Sequence, residues 1–257
     1  MQAPGRQASA LRETEHRPWP LPEGPWLLAQ TLADQLFVHY RVSAASLRQL
    51  VPDGLDVEEH SGSGWVGVTP FAVIGLRVRG TIPLPFVSSY LELNVRTYVT
   101  RDGKPGIWFF SLDTSSRLVV EAGRRLFRAP FFHATISSER SGGRVRFECA
   151  RDEGKAFSAA YRSVGPNTWA APGSQEEFLL ERYCLYAKDR GRLYRAEAHH
   201  RPWRLQTAEA EIELDTMPPR GLGLDSDPVL HYSSLQDVLL WPLAADHKPG
   251  RSSASSP

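Results

Sequence analysis

Three pairs of apolar segments, each pair joined by a short turn, constrain the fold of this chain more than any other sequence feature. The segments are rich in branched and aromatic residues, which favour strands, and each turn contains glycine. The pairs are residues 91–100 with 106–113, 133–140 with 144–151, and 182–187 with 193–199. Because such pairs form antiparallel hairpins, we predict a fold dominated by β-sheet.

Further strands and a few short helices complete this prediction. Residues 35–42, 65–73 and 203–214 have strand patterns, and the last of these places three glutamates on one solvated face. Serines that can cap a helix precede four short helical patterns; they are Ser43, Ser115 or Ser116, Ser174 and Ser234. We therefore predict an α+β fold that is mainly β, with a closed or half-closed β-barrel and a few short flanking helices.

The helix that ends near Phe127 is the longest of the four. Its pattern predicts that Leu118, Val119, Ala122 and Leu126 face inward, and Pro130 lies just beyond its end.

Composition narrows the class of protein. Apolar residues make up 41% of the 257 residues and charged residues 23%, and the net charge is +1. This balance is typical of a globular protein and gives no indication of a nucleic-acid partner. No apolar run approaches the length of a membrane-spanning helix, and the first 25 residues lack the apolar core of a signal peptide. We expect a cytoplasmic protein without a membrane partner, in which Cys149 and Cys184 are reduced, buried thiols.

The domain organisation follows from where the hydrophobic patterns of strands and helices begin and end along the chain. Residues 1–25 are rich in Pro, Gly, Gln and Arg and are predicted to be a loosely ordered N-terminal segment. Residues 26–243 are predicted to form a single domain, because no linker or repeat divides them. Residues 244–257 end in Ser and Pro and are predicted to be a disordered tail.

Several long motifs are characteristic of one family, among them residues 92–99 (ELNVRTYV), 109–113 (FFSLD), 181–186 (ERYCLY) and 200–203 (HRPW). In these runs the chain resembles a bacterial family of unknown function, the YqjF-like proteins, which is thought to share the fold of the acetoacetate decarboxylase-like superfamily. The runs fall between about residues 28 and 215. The resemblance implies an acetoacetate decarboxylase-like β-barrel for residues 26–243 and brings no established activity.

A pair of phenylalanines stands where acetoacetate decarboxylase has its catalytic lysine. In that family a proline is followed by two lysines, the first of which forms the Schiff base; here Phe131 and Phe132 follow Pro130. The four lysines of the chain are all expected to be solvated amines of ordinary pKa; they are Lys104, Lys155, Lys188 and Lys248. We therefore expect no imine-based decarboxylation, which needs an amine of lowered pKa.

The segment 90–99 carries the strongest candidates for a site. Alternation places Tyr90, Glu92, Asn94, Arg96 and Tyr98 on one face of the strand. On residue pattern alone this is a solvated face with a loose ion pair. The resemblance matches Glu92 to an active-site carboxylate, and it favours a pocket in which Glu92 is an acid or base and Arg96 binds an anion.

Other candidates depend on this pocket. Alternation puts His133 on the same side as Phe131, where a histidine could move a proton, although a core histidine is an equal alternative. Phe131, with Trp108 or Phe110, is expected to wall the pocket. Arg182 is a further ligand-binding candidate, with an ion pair to a carboxylate such as Glu181 or Glu92 as the simpler interpretation.

No motif indicates a metal, a nucleotide or a catalytic serine. Adjacent His199 and His200 point opposite ways on a strand, and no zinc-ligand spacing occurs; glycine-rich phosphate loops and nucleophile elbows are absent from the sequence. We expect a cofactor-free pocket for a small, acidic organic ligand, used in lyase or isomerase chemistry by acid–base catalysis. A non-catalytic binding or sensor protein, and a structural protein that forms homo-oligomers, are the alternatives.

Overall fold

Fourteen strands of one hydrogen-bonded sheet dominate the described part of the chain. The structure, a computed structural model, describes residues 3–84, 87–224 and 226–245. The strands are β1 (Leu28–Val42), β2 (Asp56–Val57), β3 (Gly64–Val78), β4 (Tyr90–Arg101), β5 (Lys104–Thr114), β6 (Phe131–His133), β7 (Thr135–Ser141), β8 (Arg144–Arg151), β9 (Lys155–Thr168), β10 (Cys184–Asp189), β11 (Arg192–His200), β12 (Leu205–Asp215), β13 (Val229–Leu240) and β14 (Ala244–Ala245). The helices are α1 (Ala3–Ser9), α2 (Ala44–Arg48), α3 (Arg117–Phe127) and α4 (Gln175–Leu180), with short 3-10 segments at Ala10–Arg12 and Asp152–Gly154.

Seven of the strands close into a ring. β1 pairs with β3 and β13, β3 with β4, and β4 with β5. The ring continues through the parallel pair β5–β10, then β10–β11, and closes where β11 meets β13. A closed ring leaves few unpaired strand edges and gives the alternating side chains an inside and an outside.

A second layer covers one outer side of the ring. β12, β9, β8 and β7 extend from β13 in that order. Their inner faces pack on the outward side chains of the ring, as Phe147, Phe157 and Tyr161 do against Val68 and Val95. The largest hydrophobic cluster therefore lies between this layer and the ring, and two further clusters contribute to the ring interior.

The three predicted hairpins are confirmed as β4–β5, β7–β8 and β10–β11, and the mainly β fold class is confirmed with them. The helix predicted after Ser234 is wrong. Those residues belong to β13, which pairs with β1 and β11. Hydrogen bonds to two neighbouring strands outweigh the local capping pattern, since short helices have little stability of their own.

Helix α3 has the predicted ends and buries only part of the predicted face. The Ser116 hydroxyl accepts a hydrogen bond from the Val119 amide at 3.4 Å, and Arg128 ends the helix in a left-handed conformation (φ 51°). Its buried residues are Val119, Val120, Gly123 and Phe127, whereas Leu118 and Leu126 are 59% and 43% exposed. None of the helices in the described ranges has the length and hydropathy needed to span a lipid bilayer.

The N-terminal segment, predicted to be loosely ordered, is packed against the ring. Gln7 on α1 is fully buried, donates to Thr31 and to the carbonyl of Gly75 at 3.1 Å, and accepts from Arg77 at 2.8 Å. Arg6 forms an ion pair with Asp237 at 2.8 Å. Of the predicted disordered tail, residues 244 and 245 form β14, and residues 246–257 lie outside the described residues.

Candidate functional site

A cavity of about 190 Å³ lies inside the ring of strands, with α3 across one side. Strands β1, β3, β4, β5, β10, β11 and β13 all contribute to its wall. Its polar and charged lining residues are Gln30, Gln35, Glu92, Asn94, Arg96, Arg182 and His200, together with the phenol of Tyr90. The rest of the lining is almost entirely apolar. A mostly apolar cavity with a few converging polar groups is typical of a small-molecule site.

Strand β4 supplies the central polar row. Glu92, Asn94 and Arg96 are two residues apart on one face and are only 5%, 7% and 7% exposed. The alternate residues Leu93 and Val95 face the core outside the ring. The alternation predicted for this strand therefore places the row inside the cavity, and the solvated-face alternative is wrong.

Burial keeps the carboxyl group of Glu92 mainly protonated near pH 7. Burial raises the pKa of its carboxyl to about 8; a hydrogen bond with Asn94 opposes this rise in pKa, and the nearby carboxylate of Asp113 adds to it. No cation in the described part of the chain lies within 4 Å of Glu92. A carboxyl group with such a pKa can donate a proton near neutral pH and accept one after ionising.

Arg96 is a buried cation without a carboxylate partner. Among the described residues no Asp or Glu comes within 4 Å of it, and its Nε atom is buried without a hydrogen-bond acceptor. The guanidinium lies over the rings of Phe37 and Tyr98, at 5.6 and 5.9 Å from their centroids. These rings offset only part of the energy of burying the charge, so the position favours an anion from outside the protein.

Arg182 also reaches the cavity, but its charge is already balanced. It forms an ion pair with Glu58 and donates to the carbonyl of Phe178 at 2.6 Å. The partner is thus neither Glu181 nor Glu92, the two carboxylates that the sequence suggested. Glu181 instead accepts from the Trp203 amide at 2.9 Å and from the Tyr183 hydroxyl.

Phe131 forms part of the cavity wall, in contact with α3. It pairs with Leu112 at the start of β6, and both side chains line the cavity. Its ring packs so closely on Gly123 that a Cβ atom there would lie 2.5 Å from the ring. In the described part of the chain no lysine lines the cavity. Lys155, expected in a solvated turn, begins β9 and donates to the carbonyls of residues 216–218, and burial lowers its pKa.

Trp108 and Phe110, predicted as wall residues, do not line the cavity; Phe109 does. The reason is an irregularity in the pairing of β4 with β5. Val95 pairs with Ser111 and Arg96 with Phe109, so Phe110 is the extra residue of a bulge. Trp108 pairs with Thr97 and faces the opposite side of the sheet, where it packs against a cluster around Val99.

His133 also lies outside the cavity. It ends the three-residue strand β6 and, with Phe132, lines a separate surface cleft beside Arg117, Arg124 and Arg151. The alternation that groups it with Phe131 fails because so short a strand ends before His133 can reach the cavity.

The sequence did not single out Gln35, His200 and Trp203, which the structure places in the lining. The alternation of β1 was a usable signal for Gln35, since that residue shares a face with Phe37 and His39. His200 faces the cavity, whereas His199 contacts the carbonyl of Ala10 at 2.9 Å. Among the described residues no three His, Cys, Asp or Glu side chains are grouped to hold a metal ion.

Comparison with known proteins matches this chain to one family and one fold. The sequence model of a family whose description is "uncharacterized conserved protein" matches residues 29–237. The uncharacterized protein YqjF of Bacillus subtilis (strain 168) is 44% identical over 227 residues, which cover 87% of this chain and 94% of that protein.

Solved structures similar to this one are acetoacetate decarboxylase-like. The enduracididine biosynthesis enzyme MppR complexed with pyruvate has a TM-score of 0.64 at 14% identity, covering 91% of this chain and 94% of that one. An acetoacetate decarboxylase-like enzyme from Sphingomonas wittichii RW1 has a TM-score of 0.61 at 17% identity, covering 91% and 98%. Acetoacetate decarboxylase from Legionella pneumophila has a TM-score of 0.62 at 14% identity, covering 91% and 93%. The fold implied by the sequence resemblance is confirmed.

Proposed function

The chain belongs to the DUF2071 family of uncharacterized conserved proteins, and we propose that it binds a small organic acid inside the ring of strands and acts on it by acid–base chemistry. The reaction class that fits is a cofactor-free lyase or isomerase. One observation carries the proposal. A buried arginine without a carboxylate partner and a neutral, buried glutamic acid line the same cavity.

The carboxylate of the ligand would supply the partner that Arg96 lacks. An arginine presents a planar fork of donors that matches a carboxylate, and the buried position excludes most competing water. One of the similar folds is described as complexed with pyruvate, a small carboxylic acid. That likeness supports an acidic ligand only by analogy of fold.

Glu92 would move the proton. In its neutral form it can protonate a carbanion or enolate that develops on the ligand, and the resulting carboxylate can remove a proton in the reverse direction. The sequence resemblance matches Phe131 to the Schiff-base lysine of the decarboxylases, and this match supports a mechanism that forms no imine. A binding or sensor protein remains the second candidate, supported by the apolar character of most of the wall.

Two variants test the proposal with a panel of small carboxylic acids. A ligand bound only by the folded protein raises the melting temperature, so the acids that bind should raise Tm by several degrees. Arg96→Gln should lose this rise, whereas the exposed Arg162→Gln should keep it. Retained binding by Arg96→Gln would contradict the proposal.

Chemistry is tested separately from binding. With a bound acid in D₂O, NMR should show exchange of a carbon-bound proton of the ligand in the wild type. Glu92→Gln should abolish this exchange and leave the Tm rise largely intact. Binding without exchange in the wild type would identify the binding or sensor function instead.

A further inference from the structure

The cavity has two chemically different ends, and their character limits what can bind. Resting on the function proposed above, we infer that the ligand is an amphipathic monocarboxylic acid, with its carboxylate at Arg96 and an apolar body against α3. This class differs from small, wholly polar acids and from dicarboxylic acids.

The polar end contains buried atoms that lack partners. Gln35 Oε1, Asn94 Oδ1 and Arg96 Nε all belong to cavity-lining residues and have no hydrogen-bond partner in the described structure. Just outside the lining, the hydroxyls of Ser233 and Thr69 are also unpartnered, and these residues pair with Gln35 and Asn94 across the strands. Buried polar groups are nearly always satisfied by protein, water or ligand, so a polar head group and its bridging waters belong at this end.

The side of the cavity against α3 is mainly apolar, with the phenol of Tyr90 as its polar exception. Helix α3 faces the cavity with Val119, Ala122, Gly123, Leu126 and Phe127. Phe109 and Leu112, which pair with Arg96 and Asn94, join Phe131 in the same apolar cluster as Val119 and Phe127. A charged group that lies directly against α3 would lose its water and gain no ionic partner from the lining residues of the helix. The part of the ligand that lies against α3 is therefore hydrocarbon.

The charge of the lining limits the ligand to one carboxylate. Its two arginines are Arg96 and Arg182, and Arg182 is paired with Glu58. Glu92 is neutral near pH 7 because burial raises its pKa. One uncompensated positive charge remains, so a monoanion gives a neutral complex, and a second carboxylate would be buried unpaired.

The volume sets the size of the apolar body. A cavity of about 150 Å³ holds benzene, and this cavity is about 190 Å³, so the ligand has on the order of ten non-hydrogen atoms. Leu126 lines the cavity and is also partly exposed. The apolar end thus reaches the surface beside α3, where a longer chain could leave the cavity.

Titration calorimetry with a graded series tests this inference on the full-length protein. The probes are straight-chain monocarboxylates from acetate to decanoate, 3-phenylpropionate, the dicarboxylates of matching length, and hexanamide. Affinity should rise about fourfold for each buried methylene and level off near ten non-hydrogen atoms. Matched dicarboxylates and hexanamide should bind at least tenfold more weakly than the monocarboxylate.

A variant at the apolar end gives an independent measurement. Ala122→Phe should weaken octanoate binding at least tenfold and change propionate binding less than twofold, because the ring occupies only the space beside α3. Arg125→Phe, on the exposed side of the same helix, is the matched control and should alter neither affinity.

The possible results separate the two proposals. If no carboxylate of any length binds, or if hexanamide binds as tightly as hexanoate, the proposed function fails together with this inference. If acetate or the dicarboxylates bind as tightly as octanoate, the amphipathic class is wrong while the organic-acid function stands. An equal loss of octanoate and propionate binding in Ala122→Phe would also overturn the inferred orientation.

Discussion

Glu92 is the residue whose protonation state most affects the stability of the ring interior, and it is also the acid of the proposed mechanism. The carboxyl is 5% exposed, and the neighbouring polar groups offset little of the effect of burial on its pKa. Ionising it in place leaves a buried negative charge, and among the described residues no cation lies within 4 Å to balance it. The native state therefore holds its proton to a higher pH than the unfolded chain does.

This difference predicts that stability falls with rising pH and that Glu92→Gln reduces the fall. The pKa is about 8 in the native state and about 4.3 in an unfolded chain. Between these values the native state binds more protons than the unfolded state, so the free energy of unfolding decreases as pH rises, by up to about 1.4 kcal/mol per pH unit. Glutamine does not titrate and removes this contribution.

Urea unfolding at pH 5, 6.5 and 8 measures the effect. From pH 5 to pH 8, the free energy of unfolding of Glu92→Gln should increase relative to that of the wild type by a few kcal/mol. Glu209→Gln on the exposed face of β12 is the control and should follow the wild type. Parallel curves for the wild type and Glu92→Gln would mean that the native carboxyl ionises at an ordinary pH.

For single residues, the sequence predicted which side chains share one face of a strand, because this depends only on alternation along that strand. The faces of β4 follow from a period of two, so the placement of Glu92, Asn94 and Arg96 could be predicted before the structure. Phe109 could not be predicted, because the bulge at Phe110 is set by how β5 pairs with β4. A bulge of one residue exchanges inward and outward side chains without any signal in composition.

At the scale of elements, α3 and β6 meet in one unusually close contact, beside a hydrogen bond from Arg124 to the carbonyl of Phe131 at 2.8 Å. The Gly123 backbone lies against the Phe131 ring, and an added Cβ would approach three ring carbons at 2.5–2.7 Å. Helix propensity alone favours alanine over glycine by about 1 kcal/mol. The contact with the ring opposes that preference, so the glycine allows α3 to approach the cavity wall.

Gly123→Ala should therefore destabilise the protein, by about 1–3 kcal/mol. The same substitution made in a Phe131→Ala background should be neutral or stabilising, because the ring is gone and only the propensity remains. A double-mutant cycle by urea unfolding isolates the interaction between the two positions. Glu121→Ala on the exposed side of α3 controls for propensity. Equal effects of Gly123→Ala in both backgrounds would show that the contact is unimportant.

The sequence located α3 and part of its inward face. Ser116 and Pro130 mark its ends, and both chemical signals are local. Of the residues predicted to face inward, Val119 is buried and Ala122 and Leu126 line the cavity, whereas Leu118 is exposed. Gly123 and Phe127, one residue further on than Ala122 and Leu126, are more deeply buried. Which face is buried depends on packing against β6 and the ring, since the larger apolar stripe remains partly exposed.

At the scale of the whole molecule, the N-terminal segment fastens the ring from outside. Arg6 and Gln7 contact β1, β3 and β13 through Thr31, Gly75 and Asp237. This docking could not be predicted from the sequence, because the segment lacks hydrophobic periodicity and is held by hydrogen bonds, ion pairs and scattered apolar contacts such as those of Leu11 and Leu21. The geometry of such contacts depends on strands that are distant in the chain.

Gln7 is the residue on which this docking depends most. Its side chain is fully buried and links the hydroxyl of Thr31, the carbonyl of Gly75 and the guanidinium of Arg77, itself 8% exposed. Gln7→Ala would leave the Nε donor of Arg77 buried without its acceptor, since the other bond of Arg77, to Pro4, uses a different nitrogen. An unsatisfied buried group of this kind costs about 1–3 kcal/mol.

We therefore expect Gln7→Ala to lower the free energy of unfolding by that amount and to speed hydrogen exchange of the amides in α1, while exchange in the hairpin β7–β8 stays unchanged. Gln49→Ala, at an exposed position after α2, removes the same side chain where it makes no buried contact and should have little effect. Equal stabilities of the two variants would show that the segment lies on the ring without supporting it. A loss of stability in Gln7→Ala alone would show that this N-terminal segment contributes to the stability of the closed ring, although its low hydropathy predicts a loosely ordered segment.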